Sequence, residues 1–292
     1  KAQAEDEAFG LSLGAVDYIT KPISPPLVLT RIRNHLTLKA ASDFLRDRNS
    51  YLEQEVTRRT RELSLIQDAT IVAMASLAET RDNETGNHIR RTQSYLRLLA
   101  RHLQSNPHYA TELTDENIDL MYKSAPLHDI GKVGIPDRIL LKPGTLTPAE
   151  FEVMKTHTTL GREAISRAEA LFGVSARFLR FAKEIAYSHQ EKWDGSGYPL
   201  GLSGERIPLS ARLMAVADVY DALISKRVYK AAVSHDEAVE ELRAGSGTHF
   251  DPNIIEAFLA LQDEFRNIAQ RFADVDVDEA AEAARLRLVF GD

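Results

Sequence analysis

The 292-residue chain contains no cysteine, a single tryptophan, and only 7% aromatic residues. Without cysteine there is neither a disulfide nor a thiolate metal site, and a reducing, cytoplasmic setting is expected. The chain also lacks any apolar run near the ~20 residues that a membrane helix needs. Its first residues show no signal-peptide pattern. Lysine and arginine number 36 against 43 aspartates and glutamates, giving a net charge of −7. That balance disfavours counterion-driven binding, so neither DNA nor a membrane is expected as a partner. An anionic substrate would need a local positive site, such as metal ions. What remains is ordinary for a globular chain, 43% hydrophobic and 27% charged. The length suits one large domain, or a medium domain with an attached module.

Residues 1–40 read as a helix end, a short strand on "GAVDYITKP" (Gly14 to Pro22) and a helix on "PLVLTRIRNHL". Three elements are too few for an independent α/β domain. From Leu45 to Leu77 the pattern changes: Leu45, Asn49, Leu52, Val56, Arg59, Leu63, Ile66, Thr70, Ala73 and Leu77 alternate spacings of four and three. That is a heptad repeat with polar interruptions, and it predicts a coiled-coil linker helix over 41–79 that joins two chains in parallel. From Arg81 onward the period is helical. "LTPAE" supplies a capping box, with Thr147 as cap, Pro148 first in the helix and Glu150 reaching back. The glycine- and proline-rich "KWDGSGYPLGLSGERIP" predicts a long loop, and such loops are often functional. Residues 274–292 are acidic and alanine-rich, as in a solvated tail helix.

Histidines and aspartates fall on apolar faces. His128 follows Ile118, Met121 and Ala125 at spacings of ten, seven and three. His157 shares a stripe with Met154, Gly161 and Ala164, and His189 with Leu179, Ala182 and Ala186. Asp218 lies three residues after Ala215. Any one of these alone is most simply a satisfied core group. Several helices turning imidazole and carboxylate inward together is what a metal site in a helical bundle requires. Glu84 and His88, one turn apart, are either a surface pair or further ligands. Nitrogen and oxygen donors without thiolate suit Mn, Fe, Zn, Ni or Co. An aspartate between two imidazole sets, here Asp129, can bridge two metals, and a two-metal site serves phosphoryl chemistry. Gly131 permits close backbone approach, and Lys132 can point a cation at a phosphate.

"HDIGKVGIP", "HQEKWDGSGYP" and "AVADVYDALISKRVYK", in that order, resemble the HD-GYP domain, a branch of the HD superfamily of metal-dependent phosphohydrolases. The resemblance covers Leu77 to Ala273, and an HD-GYP domain is expected over 80–273. It implies a mainly α, helical-bundle fold that hydrolyses cyclic di-GMP to linear pGpG, and in some members on to GMP. It implies metal ligands at Glu84, His88, His128, Asp129, His157, His189 and Asp218, with Asp129 shared between two metals. Lys132 matches a lysine that contacts the scissile phosphate, so Asp129 and Lys132 are the implied catalytic pair. Arg227 and Lys230 match basic residues that hold the substrate's phosphates. Gly197, Tyr198 and Pro199 form the GYP loop at the edge of the site, which is implicated in contacts with partner domains such as GGDEF proteins.

Gln190 departs from the family, whose members usually carry a second histidine there. An amide is a poorer ligand than imidazole, so two divalent transition metals are expected rather than three, iron or manganese first, with nickel, zinc or cobalt as alternatives. Gln190 also keeps open a catalytically weak, dinucleotide-sensing module, and another cyclic dinucleotide remains an alternative substrate. The Lys21-Pro22 step resembles the end of a response-regulator receiver domain, so residues 1–40 are expected to be the C-terminal fragment of one. A cognate histidine kinase would then act through the missing part, and the coiled coil would make a homodimer.

Overall fold

Most stretches with helical periodicity are helices in the structure, a computed structural model that describes residues 2–19, 21–81, 86–173, 177–225 and 232–273. Contacts divide the chain into two units, one through Ile66 and one from Gln67.

In the first unit, α1 (Ala2–Ser12) precedes α2 (Pro25–Thr80), a single helix of 56 residues. Two prolines open α2, where their missing N–H groups cost nothing, and no proline or glycine follows to break it. The strand expected over Gly14–Pro22 is absent among its described residues. A strand needs a neighbour to take its backbone hydrogen bonds, and none is present among the described residues. Side chains hold the segment instead: Asp17 Oδ1 accepts from Arg31 Nη1 at 2.6 Å, and Oδ2 lies 3.1 Å from His35 Nε2. The Arg31 guanidinium holds the Asp17 carboxyl down to about 2. The heptad residues Leu45, Leu52, Val56, Leu63 and Ile66 are exposed.

The second unit begins with the end of α2 and continues through α3 (Gly86–Leu103), α4 (Asp115–Ser124), short 3-10 turns at Ala125–Leu127 and Ile130–Gly134, and α5 (Asp137–Leu140). Then come α6 (Pro148–Phe172), α7 (Arg177–Ser188), a 3-10 turn at Gly204–Arg206, α8 (Leu209–Ile224), α9 (His235–Ala244), α10 (Pro252–Ala260) and α11 (Gln262–Arg271). The architecture is mainly α, and the described residues hold no strand beyond one isolated bridge, Ser246 to Phe250. Helix α8 is buried on nearly every side from Leu209 to Ala217, its apolar faces packed all round while Ser210 and Arg212 bond to Glu184 and Asp251. Its neighbours are α3, α7, α9 and α10. Behind it Tyr95 stacks on Phe265 with centroids 4.5 Å apart, and Tyr220 meets both edge-on. The Thr147–Glu150 capping box forms, and a second one, Ser234–Glu237, starts α9.

One local expectation is corrected. The apolar stripe from Ile118 to His128 reads as one helix, but α4 ends at Ser124 and tightens into the 3-10 turn Ala125–Leu127. Pro126 has no N–H to give to the residue four before it, so the α ladder cannot continue through it. His128 and Asp129 therefore sit at the junction of two tight turns. Asp129, at φ −106° and ψ 12°, occupies the bridge region where active-site residues are often found.

Candidate metal centre

Two ligand sets converge on this junction. His88, His128 and Asp218 place one donor atom each within 4.8 Å of one another, and so do Asp129, His157 and His189. The first set comes from α3, the 128–129 junction and α8, and the second from the junction, α6 and the residue after α7. Asp129 faces both. Its Oδ2 lies 3.4 Å from His128 Nε2, and its Oδ1 lies 3.3 Å from His157 Nε2 and 3.4 Å from His189 Nε2. Asp218 Oδ1 is 3.8 Å from Nε2 of both His88 and His128.

The backbone decides which ring nitrogen faces inward. His128 Nδ1 donates to the Ala125 carbonyl at 3.0 Å, His157 Nδ1 to Met154 at 2.8 Å, and His189 Nδ1 to Ile185 at 3.0 Å. A carbonyl can only accept, so each Nδ1 carries the hydrogen and each neutral ring presents its Nε2 lone pair. Those three Nε2 atoms and Asp129 Oδ1 are buried and have no hydrogen-bond partner. Buried polar atoms are rarely left so. Divalent metal ions bound by imidazole and carboxylate would satisfy them, so the residues fit the group.

Burial pushes the His157 imidazole down to about 4 and lowers His128 as well. Burial acts in the same sense on His189, but Asp129 and Asp218 outweigh it and push that ring up. A proton and a metal ion compete for its Nε2. Manganese affinity is therefore expected to weaken as pH falls, measured by calorimetric titration at a series of pH values. Burial would raise the Asp129 carboxyl, yet Lys132, with Nζ 2.8 Å from Oδ2, and the surrounding imidazoles hold it well below the usual range.

The ligand sets stand on a second layer that periodicity did not reveal. His88 Nδ1 lies 2.8 Å from Asp221 Oδ2. Asp221, fully buried, also accepts from Arg91 Nε at 2.7 Å and Nη2 at 2.9 Å. Burial works to raise the Asp221 carboxyl, but His88 and Arg91 keep it low and ionised. The available signal was spacing: Asp218 and Asp221 are three apart on α8, as are His88 and Arg91 on α3. Asp221→Ala is expected to weaken metal binding roughly 10–100-fold. It should also cost about 3–5 kcal/mol of stability, because buried Arg91 loses its carboxylate. Metal titration and thermal unfolding would measure the two effects.

The loop Trp193–Pro208 is fastened beside the centre. Buried Glu191 accepts from the amides of Leu200 at 2.7 Å and Leu202 at 2.9 Å. Gly197 packs backbone to backbone, since a Cβ there would lie 2.3 Å from the Lys192 amide nitrogen. The bond between Tyr198 and Pro199 is cis. The Tyr198 ring faces His157 edge-on, with centroids 6.2 Å apart. A cleft of about 440 Å³ opens on the centre, lined by Asp129, Lys132, His157, Gln190, Tyr198 and Asp218, with apolar walls from α6 and α8. Glu84, Arg227 and Lys230, which the sequence also singles out, lie outside the described residues. His249 stacks on Phe250 and is not in the ligand sets, and Asp251 caps α10.

A family model described as "HD domain" matches residues 72–254. The chain is 57% identical over 274 residues to a probable cyclic di-GMP phosphodiesterase of Vibrio cholerae, covering 94% of this chain and 62% of that protein. It is 59% identical over 213 residues to a second V. cholerae protein named cyclic di-GMP phosphodiesterase, covering 73% of this chain and 43% of that one. A cyclic di-GMP phosphodiesterase of Thermotoga maritima is 38% identical over 273 residues, covering 90% and 70% respectively. The chain thus spans 43–70% of the length of these relatives.

Proposed function

Because the chain belongs to the HD domain family, in its HD-GYP branch, we propose that it is a metal-dependent phosphodiesterase that hydrolyses cyclic di-GMP to linear pGpG. The observation that carries the reading is the convergence of two buried His/Asp sets on the two oxygens of Asp129, at the floor of an open cleft. The substrate is supported by the names of the relatives.

His88, His128 and Asp218 would hold one divalent ion, His157 and His189 a second, and Asp129 both. Iron or manganese suits this donor set, with nickel, zinc or cobalt as alternatives. When bound, such ions supply Lewis-acid charge and an activated water. Lys132 lines the cleft and pairs with Asp129 at 2.8 Å, so it can hold a phosphate oxygen and offset the charge that develops there. Arg227 and Lys230 would grip the remaining phosphate charge, and Glu84 would be a further carboxylate ligand. Tyr198 and the apolar walls of α6 and α8 exclude water from the substrate's flanks. Gln190 borders the same cleft, where an amide can hydrogen-bond a substrate but binds metal poorly, hence two ions rather than three.

Gln190 also favours a second reading, a slow module that binds the dinucleotide as a sensor. The test is incubation of the manganese- or iron-loaded chain with cyclic di-GMP and, separately, with 3′3′-cGAMP, with products resolved by anion-exchange chromatography. Conversion of cyclic di-GMP to pGpG supports the enzyme, whereas tight binding without product supports the sensor. Turnover of 3′3′-cGAMP alone would move the substrate and keep the chemistry.

The organisation proposed with this function is a receiver piece over 1–40, a linker helix over 41–79, the catalytic domain over 80–273 and a tail over 274–292. A histidine kinase would act on the receiver, and a GGDEF protein could meet the GYP loop. The exposed heptad side chains of α2 support a parallel homodimer. Sedimentation should show a dimer that Leu52→Glu with Leu63→Glu converts to a monomer.

A further inference from the structure

The segment that carries Asp129 and Lys132 is held from two sides. On one side Gly131 lies against the His157 carbonyl and the Gly161 amide of α6. On the other side lies the end of α2. Arg81, the residue after this helix, donates Nη1 to the Val133 carbonyl and Nη2 to the Ile135 carbonyl at 3.2 Å, and Nη2 pairs with Asp137 Oδ1 at 2.5 Å. These acceptors close the 3-10 turn Ile130–Gly134 and open α5, so a single guanidinium spans the segment just after Lys132. Two residues earlier, buried Glu79 lines a small cavity of about 10 Å³ whose other walls include Asp129 and Lys132.

We infer that Arg81 is a positioning residue for Asp129 and Lys132, acting through the main chain of residues 133–137, with Glu79 on the same helical turn forming a wall behind them. The ion pair is the smaller part, since the Asp137 side chain is 69% exposed and solvent screens it. The two main-chain carbonyls are what an arginine fork fits and a lysine does not. A shift of the end of α2 would then be felt at the shared metal ligand and at the lysine beside it. The role rests on the metal centre proposed above, but its test does not need turnover.

The experiment compares the full chain with Arg81→Ala and Arg81→Lys, titrating manganese alone and following amide hydrogen exchange. The expected result for Arg81→Ala is a manganese dissociation constant raised about 10-fold, as for loss of an outer-shell partner. Faster exchange is expected at Lys132 and Ile135, whose amides bond to Asp129 and Lys132 carbonyls. Protection in α8 should stay unchanged. Arg81→Lys should fall between, and it carries the test if the alanine variant does not fold. Unchanged manganese affinity and exchange in both variants would overturn the inference. So would faster exchange spread equally through α8, which marks a merely structural role. If the wild-type chain binds manganese yet leaves cyclic di-GMP intact, the functional reading fails while this inference is still decided by affinity and exchange.

Discussion

Asp129→Ala is expected to remove metal binding at both ligand sets and to lower kcat/KM for cyclic di-GMP roughly 10³-fold or more. That corresponds to about 4 kcal/mol of lost transition-state stabilisation. Among the described residues Asp129 is the carboxylate with an oxygen beside each set: Oδ2 is beside His128, and Oδ1 is beside His157 and His189. Asp218 Oδ1 lies 3.8 Å from the Nε2 atoms of His88 and His128 and belongs to their set. Its replacement should therefore spare more binding at the second set than loss of Asp129 does. Asp129→Asn is the companion variant, because it keeps the size and most packing while removing the charge that faces Lys132. Metal per chain by mass spectrometry and steady-state rates would check the pair. An Asp129→Ala protein that keeps two ions and full rate would exclude the shared-ligand arrangement.

A second large effect is expected at Gly131, from steric causes rather than charge. A Cβ there would lie 1.9 Å from the His157 carbonyl oxygen and 2.5 Å from the Gly161 amide nitrogen. Overpacking that side chains can absorb costs about 1–3 kcal/mol. Here the obstacle is helix backbone that also carries His157 of the candidate centre, so Gly131→Ala should reach the top of that range or exceed it. For a domain of this size that means a melting temperature lowered by roughly 6–12 °C. The His157 set should lose metal with it. Gly134→Ala is the control, since its nearest obstacle is the Leu160 Cδ1 atom at 2.8 Å, the far end of a flexible side chain. It should unfold near the wild-type temperature and bind metal normally.

Gly131 shows what could be read in advance and why. Close backbone approach was legible as a need, but its partner, α6, lies about thirty residues downstream and only the fold reveals it. His157, His189 and Asp218 were legible because each shares an apolar face with aliphatic neighbours at helical spacing, and burial of that face brings the donors inward. His128 was placed inward by the same reasoning for a partly mistaken cause, since Pro126 ends the α ladder before it. Asp221 and Arg91 escaped because an acidic and a basic residue on two separate helices read as surface charges. Only the packing of α3 on α8 turns them into a buried pair beneath His88. Glu191 escaped for the opposite reason. It stands next to Gln190, the departure from the family pattern, while its bonds go to the backbone of a loop nine to eleven residues further on. The strand over Gly14–Pro22 failed because strand propensity has no expression without a neighbouring strand.

The most direct test of the two-set centre is a titration of chelator-stripped chain with manganese, following bound metal and cyclic di-GMP hydrolysis together. The account predicts saturation at two ions per chain, with turnover rising as the second ion binds. Full turnover with one ion or none, or a third ion required for activity, would contradict it.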